Sequence, residues 1–256
     1  MVRRLATVLA LVLLTACAST APEPSADDLS GNAWARASSP DGLVRETWAH
    51  QTFPGKRPSI YRHERKEGRE TMKVLASSSV SMVRQVRRIE AAELGQLQFS
   101  WLVPQLMASA DMEQRDFDDS PVRLVLAFDG DRSRLNAKDR VLSELAEALT
   151  GEPLPYATLM YVWCNQRPVD SVIVNPRTSR IRKLVMESGA AQLSRWLEYQ
   201  RDVRADYIKA FGEEPGALLA IGIMTDSDNT GSKVQAWYGP VRHQPASVRP
   251  AAALRE

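Results

Sequence analysis

The sequence predicts a mainly β chain, an antiparallel β-sandwich with two accessory helices, and three observations carry this. Apolar and polar residues alternate with a period of two, as where Val122, Leu124, Leu126 and Phe128 share one face while Arg123, Val125 and Ala127 fall on the other. Segments of this length recur along the chain between turn formers such as Asp129-Gly130. Only two stretches instead carry apolar residues at helical spacing. Strands of that number and spacing suit two packed antiparallel sheets.

The elements follow in order. Met1 to Arg4 place two arginines ahead of an apolar run from Leu5 to Leu14, and Thr15-Ala16-Cys17 closes it. This is the layout of an export signal, and the run is well short of the roughly 20 residues of a membrane-spanning helix. Leu14-Thr15-Ala16-Cys17 resembles a lipobox. The resemblance implies cleavage after Ala16, lipidation of Cys17 and, with Ala18 rather than an acid next, sorting to the outer membrane on its periplasmic face. More than one acyl chain gives stable anchoring where one is marginal. Residues 17–40 are rich in Ala, Ser, Pro, Asp and Gly and read as a flexible tether.

A single domain is expected over residues 41–241, with a disordered tail over 242–256. Strands are predicted at Thr71–Ala76, Val80–Val86, Leu97–Val103, Val122–Phe128, Tyr156–Trp163, Ser171–Val174, Ile181–Glu187, Leu218–Met224 and Lys233–Tyr238. Val141, Leu142, Leu145, Ala148 and Leu149 predict one helix, stopped by Gly151 and Pro153. The second apolar stripe runs through Leu193, Trp196, Leu197, Val203, Tyr207, Ile208 and Phe211 to Gly212, with Glu198–Arg201 and Asp206–Lys209 as pairs on its polar side. That stripe fits a membrane-surface helix or a helix packed on the sandwich; mixed charge on its other face favours packing.

Charge and cysteine content exclude some functions. The chain has 33 basic and 31 acidic side chains, and loss of Arg3 and Arg4 with the leader balances them, so no nucleic-acid partner is expected. Only Cys17 and Cys164 are present; with Cys17 acylated, the fold rests on no disulfide, and Cys164 reads as a small buried hydrophobe at a strand end.

Three stretches carry a family resemblance: Leu154 to Trp163 (LPYATLMYVW), Asp202 to Pro215 (DVRADYIKAFGEEP) and Ile221 to Gly239 (IGIMTDSDNTGSKVQAWYG). They resemble an exported bacterial family labelled domain of unknown function 3047. That family has no assigned activity, so the resemblance supplies no catalytic residues. Its general look is similar to galactose-binding-like jelly rolls, which implies a carbohydrate-binding fold by analogy alone.

Polar and aromatic residues supply the candidate sites. Asp226-Ser227-Asp228-Asn229-Thr230-Gly231 places Asp226, Asp228 and Thr230 at alternate positions of a tight loop, as calcium ligands require. The place where a calcium loop would hold a bidentate Glu is Trp237, and an Asx-rich turn bonding its own backbone is the competing reading. Asp116, Asp118, Asp119, Asp129 and Asp131 bound one strand and can approach that loop in space. Trp163 and Trp237 are the preferred sugar-stacking rings, with Asn165 and Arg123 as polar partners, although most such rings belong in a core. No catalytic residue is assigned: His50, His63 and His243 lack metal-ligand spacing, and no phosphate loop or nucleophile elbow is present. The expectation is a non-catalytic envelope module binding a glycan, with a carbohydrate-active enzyme using paired carboxylates, or a structural lipoprotein binding an envelope protein, as alternatives.

Overall fold

A computed structural model describes residues 28–39 and 46–246. The leader and Cys17 lie outside the described residues, as does half of the segment assigned to the tether. In chain order the elements are α1 (Ala33–Ala37), β1 (Trp48–Gln51), β2 (Ile60–Lys66), β3 (Arg69–Ser77), β4 (Val80–Ile89), β5 (Gln96–Leu102) and β6 (Ser120–Phe128). There follow α2 (Ala137–Thr150), β7 (Ala157–Cys164), β8 (Val172–Val174), β9 (Ile181–Ser188), β10 (Trp196–Asp202), α3 (Val203–Phe211), β11 (Leu218–Asp226), β12 (Lys233–Tyr238) and β13 (Arg242–Gln244). No helix among the described residues is long and apolar enough to cross a membrane.

The predicted sandwich is the architecture found. One sheet has seven strands in the order β1-β4-β11-β6-β7-β9-β8; the other has β10-β5-β12-β3-β2, with β13 extending along β5. Pairing is antiparallel except between β7 and β9, because β8 takes the edge and the chain returns to place β9 beside β7. Val122, Leu124, Leu126 and Phe128 face the second sheet, where they meet Met72, Val74, Ala236 and Tyr238 in the main core. The opposite face of the seven-stranded sheet is apolar too, through Val125, Met160, Val162, Val185 and Met224. A sheet face of that kind needs a cover. The connection between β5 and β6 supplies part of it: Met107 and Ala110 close one end of the sandwich against Ala76 and Val234, and Met112 packs on the outer face. Cys164, at the end of β7, is buried in the same outer-face cluster.

The structure corrects several expectations. The second apolar stripe is not one helix: Trp196 to Asp202 pairs with β5 along its whole length, and only Val203 onward is helical. Leu197 and Tyr199 pack on the core, and Arg201 reaches back to Asp206, so neither Glu198–Arg201 nor Asp206–Lys209 pairs along a helix. Glu198 meets Arg69 instead, and Lys209 meets Asp170. The segment assigned to the tether contains α1, whose Trp34 is fully buried and donates to the Gly239 carbonyl at 2.9 Å. The tail contributes β13, whose His243 is buried. β1 and β2 are added to the predicted strands.

Candidate functional site

Two polar features sit on opposite outer faces of the sandwich. On the seven-stranded sheet, β6 and β9 carry Arg123 and Lys183, both essentially unexposed. Unpaired, each would be costly to bury. Asp118, in the β5–β6 connection, answers both: its two carboxylate oxygens lie 2.7 Å from Lys183 Nζ, and Oδ1 accepts from Arg123 Nη2 at 3.1 Å. The Met112 and Asp118 carbonyls accept further bonds from Lys183 and Arg123. Burial works against the Asp118 charge, yet Arg123 and Lys183 hold its carboxyl below the ordinary value. Burial, with Arg123 nearby, brings the Lys183 ammonium down to about 8 despite Asp118.

The Asp226 loop joins this network. Arg123 Nη2 also lies 3.2 Å from Asp226 Oδ2. Asp119, Asp226 and Asp228 bring one oxygen each within 4.8 Å of one another. Burial pushes the Asp226 carboxyl well above the usual carboxylate range against the pull of Arg123, and the neighbouring Asp228 and Asp119 carboxylates add to the rise. Although burial opposes it, hydrogen bonding with Asp226 and the Lys56 ammonium keep Asp228 below the usual range.

This arrangement does not fit calcium. Thr230 Oγ1 donates to Asp119 at 2.6 Å, and Asp119 also accepts from the Thr230 and Asn229 backbone amides and from Asn229 Nδ2. Both Asp119 oxygens are thereby committed to holding the loop, from a segment far away in the chain and not from within the turn itself. Lys56 occupies Asp228 and Arg123 occupies Asp226, so side chains already supply the positive charge a cation would bring. A calcium ion wants six to eight oxygens, and here both Asp119 oxygens and one oxygen each of Asp226 and Asp228 already answer the protein's own donors and cations.

The expected sugar contacts are likewise placed elsewhere. Trp163 is in the core, 1% exposed, its indole donating to the Gly189 carbonyl. Asn165 fastens the β5–β6 connection through Nδ2 bonds to the Met107 and Ala110 carbonyls. Trp237 is covered on its ring face by Lys66 at 4.5 Å and Lys73 at 5.1 Å, and its Nε1 donates to Glu64. These residues build the molecule, and none presents a free ring or amide to a ligand.

The second feature is a groove of about 550 Å³ on the outer face of the six-stranded sheet. It exists because β12 pairs with β5 only at Trp237 and Tyr238, after which Pro240 interrupts the ladder before β13 resumes it at Arg242. The gap bares the middle of β5. Gln98 lies directly across from Gln200, and Ser100 across from Glu198, so four polar side chains line the floor. Arg69 and Glu70 form one wall and Ala37, Pro240 and Arg242 another. Gly239 matters to its depth, because a Cβ there would stand 2.1 Å from Ser100 Oγ. Nothing in the sequence singles out Gln98 or Gln200; their pairing across two strands far apart in the chain is spatial.

No curated protein sequence matches the chain. Among solved structures, it is similar to the xyloglucanase domain of NopAA, a type three effector from Sinorhizobium fredii, at 10% identity and a TM-score of 0.39, covering 78% of this chain and 94% of that one. It is similar also to the family 11 xylanase from Neocallimastix patriciarum, at 10% identity and a TM-score of 0.38, with 78% and 92% covered. The family described as protein of unknown function DUF3047 matches residues 46–242, which include both the ion network and the floor of the groove, and the chain belongs to that family.

Proposed function

We propose that this protein is a non-catalytic glycan-binding module of the cell envelope, anchored through acylated Cys17 to the periplasmic face of the outer membrane, which takes its ligand in the groove between β12 and β13. One observation carries the reading. The amides of Gln98 and Gln200 and the hydroxyl of Ser100 share the groove floor, and no hydrogen bond links any of these side chains to a described residue. Neighbouring charges are largely paired, Arg69 with Glu198 at 2.6 Å and Glu70 with Arg65 at 3.2 Å. A floor of three neutral side chains, with its one acid, Glu198, already paired to Arg69, suits a ligand rich in hydroxyl groups and not a strongly charged one. Sites of this kind fix orientation with a few placed polar groups.

The test is calorimetric titration of the full chain against fragments of envelope glycans, beside the Gln98→Ala and Gln200→Ala variants. Binding that weakens at least tenfold in each variant, with melting temperature unchanged, supports the reading. Binding that is absent from the full chain, or indifferent to both substitutions, sinks it.

A further inference from the structure

Helix α2 is packed the wrong way round for a core helix. Its buried residues are Asp139 and Ser143, while Val141, Leu145 and Leu149 are 61%, 55% and 65% exposed. Polar contacts hold it in that orientation. Asp139 accepts from Thr178 and from Ser179 at 2.8 Å, Ser143 binds Arg132, and Asn136 caps the first turn through the Asp139 amide at 2.8 Å. Spaced four apart, the three apolar residues form one stripe. Lys138 brings charge into that stripe and Glu144 borders it, three residues on from Val141, while Glu147 projects from the far side of the helix, as the 3.6-residue period dictates. Beyond Gly151 the apolar surface continues through Leu154 and, on β4, Val86, which is 60% exposed.

The chain's entry lies beside this patch. Asp28, the first described residue, bridges to Ala49 of β1; Ala49 is in register with Arg84 of β4; and Arg84 pairs with Glu152 just past the end of α2 at 2.9 Å. Two strand spacings, about 10 Å, therefore separate the incoming chain from the strand that touches the helix. Ten residues lie between Cys17 and Asp28, a span of at most about 35 Å.

We infer that the α2 stripe is a membrane-docking face, which lays Val141, Leu145 and Leu149 into the headgroup boundary of the bilayer that holds the acyl chains. The inference rests on the anchoring of Cys17. An apolar stripe that carries Lys138, with Glu144 only at its edge and Glu147 turned away, brings no net negative charge to an anionic phospholipid surface. The anchor makes docking intramolecular, so a small patch that would bind a bilayer weakly alone suffices. It would also fix which way the groove on the opposite outer face points.

The experiment uses the full chain, purified with its acyl groups into vesicles of phosphatidylethanolamine and phosphatidylglycerol. In a Cys164→Ser background, Leu145→Cys and Glu147→Cys each carry a nitroxide, and relaxation by oxygen is compared with relaxation by a water-soluble nickel complex. Docking gives an oxygen-to-nickel ratio several-fold higher at position 145 than at 147. Equal ratios overturn the inference, and so does spin–spin broadening at 145, which would mean a second copy covers the stripe. Mass measurement of the N-terminal peptide separates the two ideas: no acyl mass on Cys17 removes the anchor and the inference with it, whereas acylation with equal ratios removes the docking face alone.

Discussion

The residues of the ion network differ in how completely they are satisfied. Lys183 is fully enclosed, yet its ammonium meets two carboxylate oxygens and a carbonyl, all within 3.1 Å. Asp226 is nearly as buried, but only Oδ2 faces a cation, and Oδ1 accepts no N–H or O–H among the described residues. Its raised titration follows from burial before anything else. A carboxyl whose pKa is raised by folding contributes stability that is fully present below its unfolded value, about 4, and lost as pH rises through the folded value. Asparagine at this position would keep the neutral shape, accept from Arg123 and donate to Asp228 without needing a proton. Asp226→Asn is therefore expected to raise the melting temperature by a few degrees at pH 7 to 8 and to change nothing below pH 4. Melting curves across that range decide it, and a variant less stable at neutral pH would show that the native group is ionised and better paired than its surroundings indicate.

At the scale of elements, the turns separate into those that need only backbone freedom and those that need space as well. Gly231 has φ +67°, and a Cβ added there would find its nearest outside neighbour 3.8 Å away, whereas at Gly95, with φ +50°, a Cβ would fall 2.2 Å from the Gln244 carbonyl oxygen. The first substitution to Ala meets left-handed strain alone, about 1 to 2 kcal/mol. The second must also displace β13. Gly231→Ala is expected to lower stability by that strain, and Gly95→Ala by roughly 3 kcal/mol or more, read from urea midpoints at constant slope. Equal costs would mean β13 is not held where it lies. Legibility in the sequence also divides by element. β6 was readable because every inward residue is apolar and the turn after it is Asp-Gly. β10 was not, because Leu193, Trp196, Leu197, Val203 and Tyr207 fit a helical stripe, and the strand's alternation includes Arg201, turned inward to Asp206. β2 was hidden by charge: its Arg62, His63, Glu64, Arg65 and Lys66 sit on an edge strand, where charged side chains block pairing with other chains. Of the polar features, the Asp226 loop was visible as a local motif, while the groove depends on pairings no local pattern reports.

At the scale of the whole molecule, the two ends of the described chain hold each other. Trp34 packs edge-on to Trp48 at 4.8 Å between ring centres and bonds the Gly239 carbonyl; the Val241 amide donates to Ser38 Oγ; and Arg242 Nε donates to the Ala37 carbonyl at 2.7 Å. Compositional bias made both segments look loose, because a single buried tryptophan carries no periodicity. The consequence reaches the groove, one wall of which is Ala37, Pro240 and Arg242. Trp34 is fully buried, so Trp34→Ala removes a large apolar side chain from a closed site and is expected to cost about 3 to 5 kcal/mol. If α1 and β13 belong to one cooperative unit with the sandwich, urea unfolding of this variant shifts its midpoint without changing its slope. The same variant should also bind a groove ligand more weakly, through a wall it does not itself form. Unchanged stability would return the stretch before residue 40 to the status of a tether. A large loss of stability with intact groove affinity would instead show that the wall stands without its tryptophan, and that the polar floor of β5 and β10 alone makes the site.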